Sequence, residues 1–343
     1  MKNTIMPPLV TVLMSVYNSE EYLAEAIDSI LQQTFFDFEF IIINDGSTDS
    51  SRNILQAYSD RRIRCIDNET NLGLTASLNK GLGLSKGAYI VRMDADDVAL
   101  PNRIQTQIEC MQRMQTIDVC GSWYEMFGDR EKVVKSPVEH QSIKDTLFFK
   151  NCIAHSTVCI KRKSLEACAG GYDESYAYAQ DYELWCRLKD KVTFATIPEV
   201  LLKYRLHGSQ AGSRHIEKQD ACADRVRKRN LQAIGVQLSR EEEKIYFDIV
   251  AERFEPKNKE GLRLAAGVLE KIYHAGKVFY GQAFRERIQG FMKPLPEASI
   301  RLSAASMGLF GIFLRGEVLS NSRDKIRYLY HGLKNTVGIK KWN

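Results

Sequence analysis

Gly87-Ala-Tyr-Ile-Val-Arg-Met-Asp-Ala-Asp-Asp97 is the stretch on which the fold turns. Ala88–Met93 is a short, mainly apolar run of the kind a doubly buried strand needs. Directly after it come three carboxylates in four residues, Asp94, Asp96 and Asp97. A buried strand that ends in a cluster of acids predicts a sheet with a polar site at its carboxyl edge.

The segments on either side fit that sheet. Leu9–Val16, Phe38–Ile43 and Ile63–Ile66 read as strands, and Val119–Phe127 as a later one. Helical spacing fills the gaps between them. Glu20–Gln33 carries Leu23, Ile27, Ile30 and Leu31 on one face, and Asp49 is placed to cap a helix running to about Tyr58. Leu74–Leu84 follows, then Pro101–Met114 with proline at its start. Alternating strands and helices imply an α/β fold with a mixed, mostly parallel, Rossmann-like sheet and helices on both faces. Ligands bind such sheets outside the carboxyl ends of the strands. The loops after Val16, Ile43, Ile66 and Met93 therefore share one rim, where Tyr17–Glu20, Asn44–Asp49 and Asp94–Asp97 gather polar groups.

The pattern changes along the chain. From about 128 to 212 it is mixed and loop-rich. Past Ser213, charged and apolar residues interleave at three- and four-residue spacing in Asp224–Ile234, Glu241–Phe254 and Glu260–Val278, as in amphipathic helices. Charge divides at the same place. Residues 213–343 hold 25 Lys+Arg against 15 Asp+Glu, whereas residues 1–212 hold 23 against 28. We therefore expect two domains, 1–212 and a basic, mainly helical 213–343. A composition of 44% hydrophobic and 27% charged residues excludes wholesale disorder, and no run of about 18 apolar residues predicts a membrane-spanning helix. The eight cysteines form no CxxC pair, which removes support for a zinc ribbon. Most lie in apolar runs, and MKNTIMPPLV lacks a signal-peptide core, so reduced thiols in a cytoplasmic protein are expected.

The acids suggest chemistry of two kinds. Three neighbouring carboxylates repel one another unless they are solvated or a cation offsets them. Mg²⁺ or Mn²⁺ binds through one or two carboxylates plus substrate phosphates. The alternative is that Asp97 merely favours the positive end of the helix that follows. Asp45 stands at a strand end beside the turn residue Gly46, where ligand contact is expected. Asp181, before the apolar helix of Leu184, Trp185 and Leu188, fits a helix cap or a general base equally. His155 lies in an apolar segment and His207 follows Tyr204-Arg205-Leu206. A lone histidine is by default structural.

Taken in order, Leu9–Asn18, Asn44-Asp-Gly-Ser-Thr-Asp49, Asn71-Leu-Gly-Leu74, Gly87–Asp97, Pro101–Gln107, Gly170–Asp173, Gln180–Leu188 and Ile197–His207 resemble the family 2 glycosyltransferases. The resemblance covers about residues 8–212. It implies a GT-A nucleotide-diphospho-sugar transferase fold, a divalent metal and an inverting reaction. By position, it implies that Asp45 contacts the uracil of a UDP-sugar and that Val16, Tyr17 and Glu20 lie beside the nucleoside. Asp94-Ala95-Asp96 would face the ribose and diphosphate, with Asp96 and His207 on the metal. His155 would lie near the diphosphate or acceptor, and Asp181 would be the catalytic base. Gln180 departs from the family pattern, which often has an acid there.

The reaction expected from this resemblance is sugar transfer to a glycan or lipid-linked acceptor in surface polysaccharide synthesis. A nucleotidyltransferase is the enzymatic alternative, but its Gly-rich phosphate loop is missing after the first strand. A non-catalytic nucleotide-sugar-binding scaffold is the other. The basic back lies outside the resemblance. Within Ser299–Gly316 only 13 residues separate Arg301 from Arg315, too few to span a bilayer; Met307–Leu314 reads as a helix packed on the catalytic domain, while the Lys and Arg of the tail favour peripheral contact of 299–343 with an anionic inner membrane face. Nucleic acid is not expected, because no recognition motif accompanies the charge.

Overall fold

The structure is a computed structural model and describes residues 7–167, 170–208 and 215–292. The described residues divide into two compact units, one formed by those within 7–147 and 151–226, the other by 148–150 and 227–292. In the first, nine strands form one sheet: β1 (Val10–Val16), β2 (Phe38–Asn44), β3 (Ile63–Asp67), β4 (Tyr89–Met93), β5 (Val98–Ala99), β6 (Val119–Gly128), β7 (Lys132–Val134), β8 (Cys159–Lys161) and β9 (Phe194–Leu206). The order is β3-β2-β1-β4-β8-β6-β9-β5, with β7 beside β6. β1, β2, β3 and β4 are parallel neighbours, as are β6 and β9, while β5, β7 and β8 run antiparallel to their partners. This is the expected mixed α/β sheet.

Burial explains the strands. Val10, Val12, Met14 and Val16 are fully buried, and so are Phe40, Ile41, Ile42 and Ile43 on β2. The helices are α1 (Leu23–Leu31), α2 (Ser51–Ala57), α3 (Leu74–Leu84), α4 (Arg103–Arg113), α5 (His140–Leu147), α6 (Arg162–Glu166) and α7 (Gln180–Leu188). Leu23, Ile27 and Ile30 of α1 and Ile104, Ile108 and Met111 of α4 join one core cluster with β1 and β4. Leu13, Ile41 and Ile43 point the other way, into a second cluster with Tyr182, Leu184 and Trp185 of α7. Alternate residues of β1 thus serve opposite faces, as the strand period requires.

α1 is shorter than the periodicity suggested: Glu20, placed in the helix by spacing, lies before it and accepts from the Ser50 amide of the neighbouring loop. Asp49 plays a related part. Its Oδ1 accepts from the Ser51 amide (3.0 Å), while its Oδ2 accepts from the Glu20 amide (3.0 Å). It serves the start of α2 and fastens the loop after β1 together.

The second unit is helical. α8 (Ile216–Ala233) begins in the first unit and ends in the second, followed by α9 (Arg240–Val250), α10 (Lys259–Gly276) and α11 (Gln282–Met292). The first three each cover much of an amphipathic stretch read from the sequence, whereas α11 lies beyond those stretches. α9 opens with a capping box, in which Ser239 Oγ accepts from the Glu242 amide and Glu242 accepts from the Ser239 amide. Leu262, Val268, Leu269 and Ile272 form the core of this unit with Phe148, Phe149 and Phe284. Phe149 and Phe284 stack with centroids 5.1 Å apart. No described helix is long and apolar enough to cross a membrane. Ser299–Gly316 and the basic tail to 343 lie outside the described residues.

At the rim, Gly46 has φ +68°, and a Cβ there would sit 2.6 Å from the Thr70 carbonyl carbon and 2.7 Å from the Asn71 nitrogen. Both are backbone atoms, so neither can step aside cheaply. We predict that Gly46→Ala lowers stability by more than about 1 kcal/mol. Thermal unfolding would show it as a lowered midpoint.

Candidate active site

Two loops build one side of the rim by binding each other. After β1, Asn18 takes a left-handed φ of 49°. Its Oδ1 accepts from the Thr48 amide (2.8 Å), and its own amide donates to Ser47 Oγ (3.1 Å). The Ser50 amide donates to Glu20 Oε2 (2.8 Å). Glu20 therefore stands on the rim as a brace between loops. Val16 is buried, whereas Tyr17 is 47% exposed beside it.

Asp45 does not project outward. Its Oδ1 accepts from Asn68 Nδ2 (2.8 Å) and the Leu72 amide (2.9 Å), and its Oδ2 from the Gly73 amide (2.9 Å). The carboxylate gathers the 68–73 loop around the end of β2, satisfying amides that would otherwise be orphaned. Leu72 is left exposed on the rim.

The acidic loop after β4 holds the densest charge. Ligand atoms of Asp94, Asp96 and Asp97 all lie within 4.8 Å of one another. Asp94 is ion-paired with Arg92, whose side chain is buried in β4. Asp97 is fully buried, and its Oδ1 accepts from the Arg205 amide (2.9 Å). Burial, with repulsion from Asp94 and Asp96, pushes the Asp97 carboxyl well above the usual range. Burial also raises Asp94, aided by Asp96 and opposed by Arg92. Ala95 is buried between the acids.

The end of β9 closes over this loop. β5 pairs with β9 through Val98↔Lys203 and Ala99↔Leu202. Arg205 Nε donates to the Asp96 carbonyl (2.9 Å), and its guanidinium lies over the Tyr22 ring (4.3 Å) and the Phe127 ring (4.4 Å). Its far end meets Glu25. His207 Nε2 is then 3.0 Å from Asp96 Oδ2, with its ring 4.8 Å from that of Tyr22. Residues 111 positions apart are thus brought together. A carboxylate and an imidazole, both partly exposed, with two more carboxylates at hand, fit a divalent cation.

Asp181 lies in the first turn of α7, behind Ala179 at φ 55°. Its Oδ1 accepts from the Tyr182 amide (2.8 Å) and its Oδ2 from Asn151 Nδ2 (2.7 Å). The cap position of α7 falls on Ala179, so Asp181 is not the cap: it lies inside the first turn and also faces a partner from elsewhere in the chain. Burial raises its pKa, opposed by those two donors and by Arg92. His155 is buried rather than presented on the rim. Its Nε2 is 2.6 Å from the Tyr172 hydroxyl, and burial, then Arg92, holds its pKa well below the usual histidine range. The neutral ring pairs with the Tyr172 hydroxyl, whose own pKa is raised by burial.

Sequence reasoning did not single out Arg92, Asn151, Tyr172 or Arg205. A charged residue inside an otherwise apolar strand, one residue before an acidic cluster, was a usable signal for Arg92. Nothing in the local pattern marked Asn151.

The glycosyl transferase family 2 model matches residues 11–168. An uncharacterized glycosyltransferase of Haemophilus influenzae is 35% identical over 248 residues, covering 67% of this chain and 77% of that protein. An Escherichia coli protein named UDP-Glc:alpha-D-GlcNAc-diphosphoundecaprenol beta-1,3-glucosyltransferase WfgD is 30% identical over 208 residues, covering 60% and 80%. Among solved structures, S. aureus TarS 1-349 in complex with UDP-GlcNAc aligns over 96% of this chain and 92% of its own with a TM-score of 0.53. At 14% identity that likeness concerns the fold, and the fold is GT-A. On the strength of these matches, the chain belongs to the family 2 glycosyltransferases.

Proposed function

We propose that this protein is an inverting, metal-dependent transferase that moves a sugar from a UDP-sugar to a hydroxyl of a glycan or lipid-linked acceptor in surface polysaccharide synthesis. The observation that carries the reading is that Asp96, after β4, meets His207, after β9, while Asp181, in the first turn of α7, is held by Asn151. Support for the donor and acceptor classes comes from the names of the relatives and the UDP-GlcNAc held by the fold neighbour.

In this reading Asp96 and His207 hold Mn²⁺ or Mg²⁺, with Asp94 beside them. The metal, when bound, offsets charge on the departing diphosphate. Tyr17 and Leu72 offer apolar surface beside the nucleoside, and Asp45 and Glu20 keep the loops that bear them in place. Asp181 accepts the proton of the acceptor hydroxyl as its oxygen bonds to the anomeric carbon. The bond from that carbon to the diphosphate breaks, and its electron pair leaves with UDP. One displacement inverts the anomeric centre. Holding both substrates on one rim supplies the orientation.

Asp181→Asn keeps the shape of the side chain and removes its basicity. Transfer should fall by about 10²–10⁴-fold with donor binding retained. UDP release measured across a donor panel checks this, and a wild-type rate in the variant removes the base assignment. Because burial raises the Asp181 pKa, and the base works only ionised, the acid limb of the rate profile should lie above the ordinary aspartate range. Chelation should abolish transfer, Mn²⁺ should restore it, and Asp96→Asn should raise the Mn²⁺ concentration needed for half-maximal rate. Full activity in excess chelator overturns the metal role. Peripheral membrane contact through 299–343 rests on charge alone. Co-sedimentation of the full chain with anionic liposomes should be strong at low salt and lost at high salt. No binding at low salt removes that reading.

A further inference from the structure

We propose that Asn151 is the positioning residue for the Asp181 carboxylate, holding it in one orientation as a proton acceptor. This rests on the reading of Asp181 as the base. The side-chain amide of Asn151 bridges two groups. Its Oδ1 accepts from the Ile153 amide (3.2 Å), which decides which way round the amide lies. The group turned toward Asp181 is then the NH₂, a donor only, and it meets Oδ2 at 2.7 Å. The other oxygen accepts from the Tyr182 amide at 2.8 Å. Each oxygen of a carboxylate has two acceptor positions. One on each is engaged by a fixed donor, which sets the plane of the group, and the main-chain amide of Asp181 itself adds a further favourable contact.

Both donors favour the ionised form, because each hydrogen bond is strengthened by the negative charge. That matters here, since burial pushes the same carboxyl toward protonation. The charged and titratable groups facing it from the surrounding elements are Arg92 of β4, which favours the carboxylate, and the Tyr172 phenol. Tyr172 is itself committed to His155. Of the two donors bonded to Asp181, Asn151 is the one that a side-chain substitution can remove.

Two measurements on the full-length protein test this. The first is a ¹³C NMR titration of aspartate-labelled enzyme, in which the Asp181 signal is identified by its loss in Asp181→Asn. In Asn151→Ala its midpoint should move to higher pH. In Asn151→Asp, with a second carboxylate at the same place, it should move further, and this isosteric variant reads the same effect if the alanine variant does not fold. The second is UDP release with Mn²⁺ and whichever UDP-sugar of a panel is turned over fastest. Asn151→Ala should lower kcat roughly tenfold or more and leave the donor KM within about twofold. An unmoved midpoint, or an unchanged kcat, overturns the proposal. A moved midpoint in a protein whose Asp181→Asn variant turns over at the wild-type rate would sink the base reading and leave the hold of Asn151 on Asp181 standing.

Discussion

Three carboxylates at the end of one buried strand cannot stand together without positive charge close by, and much of the first unit is arranged around supplying it. Arg92 lies buried in the same strand and pairs with Asp94. Arg103, also buried, donates through Nη2 to the Arg92 carbonyl at 2.8 Å. Burial brings its pKa down to about 10, against the pull of Asp97 and Asp94. Arg205 arrives from β9 and binds the loop through both main chain and side chain. These arginines do different work. Arg92 and Arg103 are fixed beneath the loop, while Arg205 ties it to the strand that delivers His207. With the acids' repulsion offset from below and behind, Asp96 and His207 remain partly exposed at the surface of the cluster.

The same logic governs the opposite side of the rim. Asp45, Asp49 and Glu20 are acids in loops, and each is occupied by backbone amides rather than by a cation. Such bonds stabilise loops that have no ladder of their own. They leave Tyr17 and Leu72 as the exposed apolar surface. A carboxylate can therefore shape a loop through its amides without facing outward, and Asp45 does that here.

Much of this was legible in one dimension. Buried strands and amphipathic helices announce themselves by period, since a strand covered on both faces has nowhere for polar residues, and an acid cluster interrupting such a run stands out. Leu74–Leu84 was read to the residue, because Gly73 ends the preceding loop and Ser85 begins the next. Motif order identified the family. Helix starts were less well read. Glu20 looked helical by spacing, but a hydrogen bond to Ser50 from a different loop claims it.

The sequence by itself determined the alternation of strands and helices, the rim on which polar loops meet, the acidic cluster and the break in charge near residue 213. Those properties are local, or are sums over local properties. Only the tertiary structure decided that Arg92 offsets Asp94, that Arg205 ties the acidic loop to β9, that Asp45 faces inward, that His155 is committed to Tyr172, and that Asn151 meets Asp181 from 30 residues away. It also assigned Phe148–Lys150 to the helical unit, in the midst of a stretch that otherwise belongs to the sheet. A hydrogen bond between distant side chains is set by where the backbone carries them. No period or spacing records that, because the chain between them is free to vary in length and path.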